Sequence, residues 1–487
     1  MHAWSARNCW AHFAALAVAI TGLVTLTLTL IGRVSSPWPL EWMEGGVLHH
    51  VLRIAQGKAI YGPPSSEFIP YLYPPLAYLP GALLAMLNET SLPAQRSVSL
   101  LGLALTLVAI HRIVWRRTHH PTAGLAATGI FALGYGYTGA FLDLLRVDSL
   151  FIALMVWAVE RMDSGRTRTG LWLLALSGLA KQHGFVLLVA ACIALAWRDR
   201  RATIAVITPP LAFSFLGLLV LSLATGGWFW TYVFELPAAH GMEPLLFVTF
   251  FVVDLALYLP VLSVGAFLVF KRGWRSFDPV LATLSAALLV SALGRAHPGG
   301  DDNVRLPAFA LLCALALCPL LSSMLSSQTR VGLRVTLVAL LLGQAAMLWQ
   351  PPSLYQPSAQ SSLQFTQLQT TMSHCASQAA PSGQGAVALD YPLLTTTPFL
   401  HTMALSDLAL GHGLKRLNAM ARASLLDRLS SPKAPRALAI GSSFPELDRV
   451  VASHYEPCES MAAPRMASGY QPHTQRIYRL RQAPITK

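Results

Sequence analysis

Long runs without a charged residue alternate along the chain with short basic or polar stretches. The first run, "HFAALAVAITGLVTLTLTLIG" (12–32), matches the roughly 20 apolar residues that a membrane-crossing helix needs. Further runs predict spans near 97–115, 122–142, 149–160, 169–180, 184–197, 202–224, 247–270, 278–294, 306–323 and 331–349, about eleven in all. Lipid leaves backbone polar groups no partner outside their own helix, so the pattern predicts an all-α polytopic membrane protein. A β-barrel would show short alternating segments instead. The first run is long for a signal peptide, and "VSSPWPLEW" after it is a poor cleavage site, so it reads as a retained helix.

Orientation follows from the basic stretches "RRTHH" (116–120), "RMDSGRTRTG" (161–170), "RDRR" (198–201), "KRGWR" (271–275) and "SSQTRVGLR" (326–334). Basic loops favour the cytoplasmic side. With a cytoplasmic N-terminus all five fall there, provided "YPPLAYLPGALLAML" (73–87) does not cross. That segment is short and proline-rich and reads as a juxtamembrane helix at the outer surface. The expected outer loops are then 33–96, 143–148, 181–183, 225–246 and 295–305, together with the tail.

The pattern changes after residue 350. Residues 350–370 are rich in Pro, Ser and Gln and read as a linker. "GAVALDYPLL" (385–394) and "RALAIGS" (436–442) read as short buried strands. "LNAMARASLLDRLSS" (417–431) has helical periodicity. The expectation is a membrane module over 1–349 and a small extracytoplasmic α/β domain over 371–487.

Composition fits this picture: of the 487 residues 54% are hydrophobic and 12% charged, and mean hydropathy is +0.51. The net charge of +13 follows from the cytoplasmic loops. No motif interleaving aromatic and basic residues points to nucleic acid. Cys9, Cys192, Cys313 and Cys318 lack metal-ligand spacing and read as inert packing residues. Cys375 and Cys458 lie in the tail, where an oxidising compartment would allow a disulfide; two free thiols is the alternative.

The expected outer loops concentrate the chemistry. The first holds Glu41, Glu44, His49, His50, Tyr61 and Tyr73. The second holds Asp143, Arg146 and Asp148, and the third Lys181, Gln182 and His183. The last holds Arg295, Asn303 and Arg305. Charges near lipid are costly unless they line a wet cavity. A cavity with carboxylates, cations and aromatics suits a lipid phosphate bearing a polar group: cations neutralise a leaving phosphate, and a carboxylate takes a proton from an attacking hydroxyl. Each residue also has a plainer reading. Glu44 can serve the dipole of the helix it opens, Asp148 can pair with Arg146, and Lys181 can reach toward headgroups. Adjacent His49 and His50 point to different helix faces and make a poor metal pair.

The stretch "WMEGGVLHHVLRIAQGKAIYGPPSSEFIPYLYPPLAYLPGALLAML", with "LRVDSL" and "LAKQHGFVLL", resembles the GT-C superfamily of polyprenyl-phosphate-sugar-dependent glycosyltransferases. Lipid A aminoarabinose transferases and protein O-mannosyltransferases are members. The resemblance covers roughly 12–350, and the tail is similar only to that of bacterial members. It implies transfer of a sugar, with inversion, from a polyprenyl-phosphate donor to an acceptor outside the cytoplasm, in a bacterial inner membrane. The acceptor would be a lipid, glycan or protein. Many members carry Asp-Glu in the first loop. Here Met43 stands at the Asp position, so the resemblance gives Glu44 the role of general base, with Glu41 as the alternative. Asp148 would orient substrate hydroxyls, and Lys181, Arg295 and Arg305 would hold the phosphate. Glu41, Tyr61, Tyr73, Arg146, Gln182, His183 and Asn303 would contact substrate. Some members bind a divalent ion and some do not, so the resemblance fixes no cofactor; Glu44 and Asp148 could share such an ion, since hard cations prefer oxygen. The rival readings are a polyprenyl-lipid or glycolipid transporter without transferase chemistry, and an inactive partner protein.

Overall fold

The structure, a computed structural model, describes residues 9–198, 200–273, 278–395 and 399–482. Asp199 of "RDRR" and Trp274 and Arg275 of "KRGWR" lie outside the described residues. The chain opens with helix α1 (Cys9–Val34). Two short helices follow, α2 (Glu44–Ala55) and α3 (Leu79–Met86). The bundle continues through α4 (Leu92–Thr118), α5 (Pro121–Leu133), α6 (Asp148–Asp163), α7 (Thr167–Ala180), α8 (His183–Arg198) and α9 (Arg200–Ala224).

Every expected span falls at least partly on helix, but the helices are not equal. Among the described residues, six are long and apolar enough to cross a membrane alone: α1, α4, the 203–224 part of α9, Pro279–Ala296, Asp302–Leu325 and Val331–Leu354. The pair Trp228–Ala239 and Pro244–Leu257, bent by 88°, is a seventh candidate. Helices α5 to α8 have only 13 to 16 residues. At 1.5 Å per residue that is about 20–24 Å, short of a hydrocarbon core of about 30 Å. Expected span 122–142 stops at Leu133 because "GYGYTGA" turns the chain, with Gly139 at φ +77° and Ala140 at φ +59°. Expected span 247–270 is two helices, broken before Pro260.

The segment 73–87 forms a 3-10 turn, Pro75–Ala77, and then α3. Leu83 and Leu87 of this region are 63% and 73% exposed, as suits side chains that meet lipid rather than water.

The bundle is tightest where α1 crosses α5. A Cβ added to Gly129 would lie 2.6 Å from the Ala19 Cα, and one added to Gly22 would strike the Gly129 carbonyl. Small residues are how helices approach in lipid, where packing rather than water drives association.

The residues expected to form a linker do not stay open. A 3-10 turn, Pro352–Leu354, follows Gln350, and helix Ala359–Gln378 takes up the remainder of 350–370. Phe365, Leu368, Met372 and Cys375 make its buried stripe. Beyond it stands a four-stranded sheet in the order β1-β2-β4-β3 (Ala386–Ala388, Ala437–Ile440, Gln475–Leu480, Tyr455–Met461). Strand β1 runs parallel to β2, and the other pairings are antiparallel. Cys375 and Cys458 form a disulfide, Cα to Cα 6.2 Å, that fixes the helix to β3. This unit packs on the first loop. The Leu400 N–H donates to the Ser66 carbonyl at 2.8 Å, the Ser468 N–H to that of Leu40 at 3.0 Å, and Trp38 stacks on Phe365 at 5.3 Å.

Gly129→Val should force α1 from α5. Overpacking typically costs about 1–3 kcal/mol, and a clash with backbone belongs at the upper end. The check is thermal unfolding in detergent: Gly129→Val melts earlier than wild type, whereas Gly332→Val, at a glycine with open space around it, does not.

Candidate active site

Two carboxylates of the first loop, three positions apart, have opposite surroundings. Glu44 opens α2 and is fully buried. Its Oε1 accepts from Arg96 Nε at 2.8 Å and from the Leu145 N–H at 2.9 Å. Its Oε2 accepts from Arg96 Nη2 at 2.8 Å and from the Leu40 N–H at 2.7 Å. Four donors occupy the roughly four lone-pair sites of a carboxylate. Burial pushes the Glu44 carboxyl up, but the Arg96 charge and the hydrogen bonds outweigh it and hold the group below its usual range. A general base needs an unoccupied lone pair within reach of the proton it takes. Glu44 offers none, so the role expected for it does not fit; it is the counter-ion of Arg96.

Glu41 is also buried, at 1% exposure. Both donors it meets, the Met43 N–H and Arg146 Nη1, each at 3.0 Å, go to Oε2. Oε1 receives no hydrogen bond among the described residues and faces Gly469 and Asp301. Burial, reinforced by the charge of Glu44 and only partly offset by Arg146, pushes the Glu41 carboxyl up to about 7.

Arg146 links this acid to the next. Its Nε is 3.7 Å from Asp148 Oδ2, and its Nη2 is 3.5 Å from the Tyr73 hydroxyl. Asp148 accepts from Lys181 Nζ at 2.7 Å and from Asn303 Nδ2 at 3.2 Å. Lys181 lies over the Tyr73 ring at 5.9 Å. Glu41, Tyr73, Arg146, Asp148, Lys181 and Asn303, drawn from four expected outer loops, therefore meet in one buried cluster. The remaining expected contacts stand around it. Gln182 Nε2 donates to the Leu72 carbonyl at 3.1 Å, and His183 Nδ1 is buried without a partner among the described residues. Tyr61 does not join: its hydroxyl donates to the Tyr73 carbonyl at 2.6 Å and its ring packs on Phe229, so it shapes the loop. His50 is likewise a staple, bonded to the Gly46 carbonyl and the Tyr71 N–H.

Arg295 and Arg305 form a second charged group. Arg295 Nε is 3.2 Å from Asp254 Oδ2 and Arg305 Nε is 3.3 Å from Asp254 Oδ1. Asn303 and Arg305 share one 3-10 turn, Asp302–Arg305, which joins this group to the cluster. The sequence reading missed Asp254, although a lone acid inside "LLFVTFFVVDLALYLP" is a visible signal. It also missed Asp407 of the C-terminal unit, a buried acid close enough to feel the charge of Arg146.

A divalent ion shared by Glu44 and Asp148 does not fit these donors, because cations and N–H groups already occupy both carboxylates. Among the described residues no group of three or more His, Cys, Asp or Glu could hold a metal ion. An open cavity of about 360 Å³ lies at the other end of the bundle, lined by Arg117, Arg272 and Asp278 among others, and shares no residue with the cluster.

A polar cluster roofed by a small α/β unit, at one end of an apolar helix bundle, defines the fold of a multi-pass membrane protein. In particular, the chain is similar to the crystal structure of ArnT from Cupriavidus metallidurans bound to undecaprenyl phosphate, at 12% identity and TM-score 0.51, over 95% of this chain and 97% of that one. The apo structure of the same protein aligns at 14% identity and TM-score 0.49, over 97% and 98%. The archaeal oligosaccharyltransferase AglB from Archaeoglobus fulgidus, in complex with an inhibitory peptide and a dolichol-phosphate, aligns at 11% identity and TM-score 0.48, over 89% and 70%. No protein-family model matches the sequence, and no curated protein matches it.

Glu44→Gln should act on stability first. Removing one member of a fully buried pair typically costs about 3–5 kcal/mol. Arg96→Met should do comparable damage, and the double variant Glu44→Gln/Arg96→Met should cost less than the sum. Denaturation midpoints of the three purified variants check this.

Proposed function

We propose that the protein is an integral-membrane glycosyltransferase that moves a sugar from a polyprenyl-phosphate donor to an acceptor hydroxyl at the Glu41 cluster. The observation that carries the reading is the free Oε1 of Glu41, held beside Arg146, Asp148 and Lys181. Similarity of fold to a protein crystallised with undecaprenyl phosphate supports it.

In this reading Glu41 Oε1 takes the proton of the acceptor hydroxyl. The acceptor oxygen bonds to the anomeric carbon as the bond from that carbon to the phosphate oxygen breaks. Polyprenyl phosphate leaves with the electron pair, and displacement from the opposite face inverts the carbon. Arg146 holds the carboxylate in place through Oε2, leaving Oε1 for the proton. Asp148, fixed by Lys181 and Asn303, accepts hydrogen bonds from sugar hydroxyls. Lys181, Arg295 and Arg305 supply the positive charge that a leaving phosphate requires.

The helix ends support an exoplasmic site. The basic stretches at the C-terminal ends of α4, α6 and α8 lie at the end of the bundle opposite the cluster, and positive-inside bias puts them in the cytoplasm. The acceptor class, the sugar and the bacterial inner membrane belong to the same proposal.

Incubating the purified protein with a panel of radiolabelled polyprenyl-phosphate sugars tests the activity; consumption of none would sink it. Glu41→Gln should lower turnover by about 10²–10⁴-fold; because it also takes one charge from the buried pair with Arg146, its melting temperature should fall too, and turnover is compared per folded molecule. Because the base must be ionised and burial lifts its pKa to about 7, kcat/KM should rise with pH through neutrality and level off above it. A flat profile from pH 5 to 8 would contradict the assignment.

A further inference from the structure

Asp254 has no role in the mechanism above, yet it is a buried acid inside an apolar helix. Such groups are expensive and are retained where they meet a partner or a pathway. It sits on a π-helical segment, Phe250–Leu257, in the second arm of the 88° bent pair. Wide turns of this kind recur at functional sites, and broken helices gather at substrate sites in membrane proteins. The Tyr137 hydroxyl donates to the Asp254 carbonyl at 3.0 Å, which fixes the backbone there.

The carboxylate divides its two oxygens between two arginines. Arg305 is otherwise well used: Nη1 donates to the Tyr137 carbonyl at 2.8 Å, Nη2 pairs with Asp302 at 2.6 Å, and the guanidinium lies over the Tyr137 ring. Arg295 is not. Its only hydrogen bond among the described residues is from Nε to Asp254, at 3.2 Å, and its side chain is 24% exposed. Both terminal nitrogens are therefore open to an incoming anion. The two arginines are balanced by Asp254 and Asp302, so the resting group is neutral and an arriving phosphate must compete with a carboxylate.

We propose that Asp254 is an internal stand-in for the donor phosphate, occupying Arg295 and Arg305 when no lipid is bound and displacing the polyprenyl phosphate product when it is spent. This rests on the donor reading given above and extends it. A product monophosphate carries more negative charge than the donor diester and binds an arginine pair more tightly. A resident carboxylate that reclaims the pair offsets that and speeds release. Asp254 is thus a positioning and release residue, acting through the arginines.

The test is binding of undecaprenyl phosphate to the full-length protein in lipid nanodiscs, followed by steady-state kinetics. Asp254→Asn should bind at least about ten-fold more tightly, since a unit charge a few ångströms away is removed from a partly dry site. Its donor KM should fall, its kcat should fall with it, and inhibition by added undecaprenyl phosphate should strengthen. Arg295→Gln should weaken binding and cancel the gain in the double variant. If Asp254→Asn does not fold, Asp302→Asn takes its place. It removes the other acid from Arg305 at a 38% exposed position and must also tighten binding. Unchanged or weaker binding by these variants, with a wild type that binds and an Arg295→Gln variant that does not, would overturn the stand-in and leave Asp254 a structural prop. Failure of wild type itself to bind undecaprenyl phosphate would instead remove the donor reading.

Discussion

The polar end of the molecule hangs on the Arg96 guanidinium. All five of its N–H groups are used: three on the carbonyls of Arg33, Ser36 and Trp38 and two on Glu44. One buried cation on α4 thus folds the chain leaving α1 around itself and pins the start of α2. The Glu44 carboxylate that neutralises it reaches on to the Leu145 N–H, at the edge of the Arg146–Asp148 turn. Arg33 works in parallel. It pairs with Asp143 and bonds to the Ala140 and Tyr355 carbonyls and to Ser468, so α1, the turn after α5 and the C-terminal unit close on one group. Buried pairs of this kind add little net stability over apolar packing, but losing one partner strands a charge. Their effect here is geometric: they hold Glu41 and Arg146 at fixed positions on two different loops.

That rigidity has a consequence for substrates. Glu41, Arg146, Asp148, Lys181 and Asn303 are all under 9% exposed, and Gly469, at φ +68°, lies directly against Glu41. No sugar reaches Oε1 with that backbone in place. The strap around Ser468 and Gly469 is held by the Leu40 and Ala140 carbonyls and by Arg33. Met466 anchors it in the core of the C-terminal unit on one side, while on the other Tyr470 packs on Trp42 but stays 41% exposed. Surface segments with few buried contacts are those that open locally at low cost. A reaction at Glu41, as proposed above, requires that opening.

Much of this was legible because hydrophobic runs report helices directly, and basic loops report which ends belong together. That logic gathered Arg146, Asp148, Lys181 and Asn303 correctly, although 157 positions separate Arg146 from Asn303. Of its eleven expected spans, α5 to α8 are helices of only 13 to 16 residues, because a run of apolar residues reports burial, in lipid or in protein, and not helix length. It read 350–370 as a linker from composition, while the stripe Phe365, Leu368, Met372 and Cys375 carried the helical period. It chose Glu44 over Glu41 because local pattern cannot show occupancy. Which acid is free depends on Arg96, 52 positions away, and on the Leu145 backbone, 101 positions away.

The bent pair with its buried acid is also the feature that a transporter would display, since carriers place charges on interrupted helices near mid-membrane. Its partners bear on that alternative. Arg295 closes the helix Pro279–Ala296, and Arg305 ends the 3-10 turn beside Asn303, which bonds Asp148. The Asp254 group is therefore joined to the Glu41 cluster through one four-residue turn, at the polar end of the bundle rather than at its middle. A carrier needs its site to face both leaflets in turn. Here the site is roofed by the C-terminal unit, and the α4–α6 contact at the opposite end is itself clamped by Arg116 on Glu160 and Asp163, at 3.0 and 2.7 Å. The Arg295–Arg305 group is thus linked to Glu41 in steps, through Asn303 to Asp148 and through Arg146 to the acid beyond.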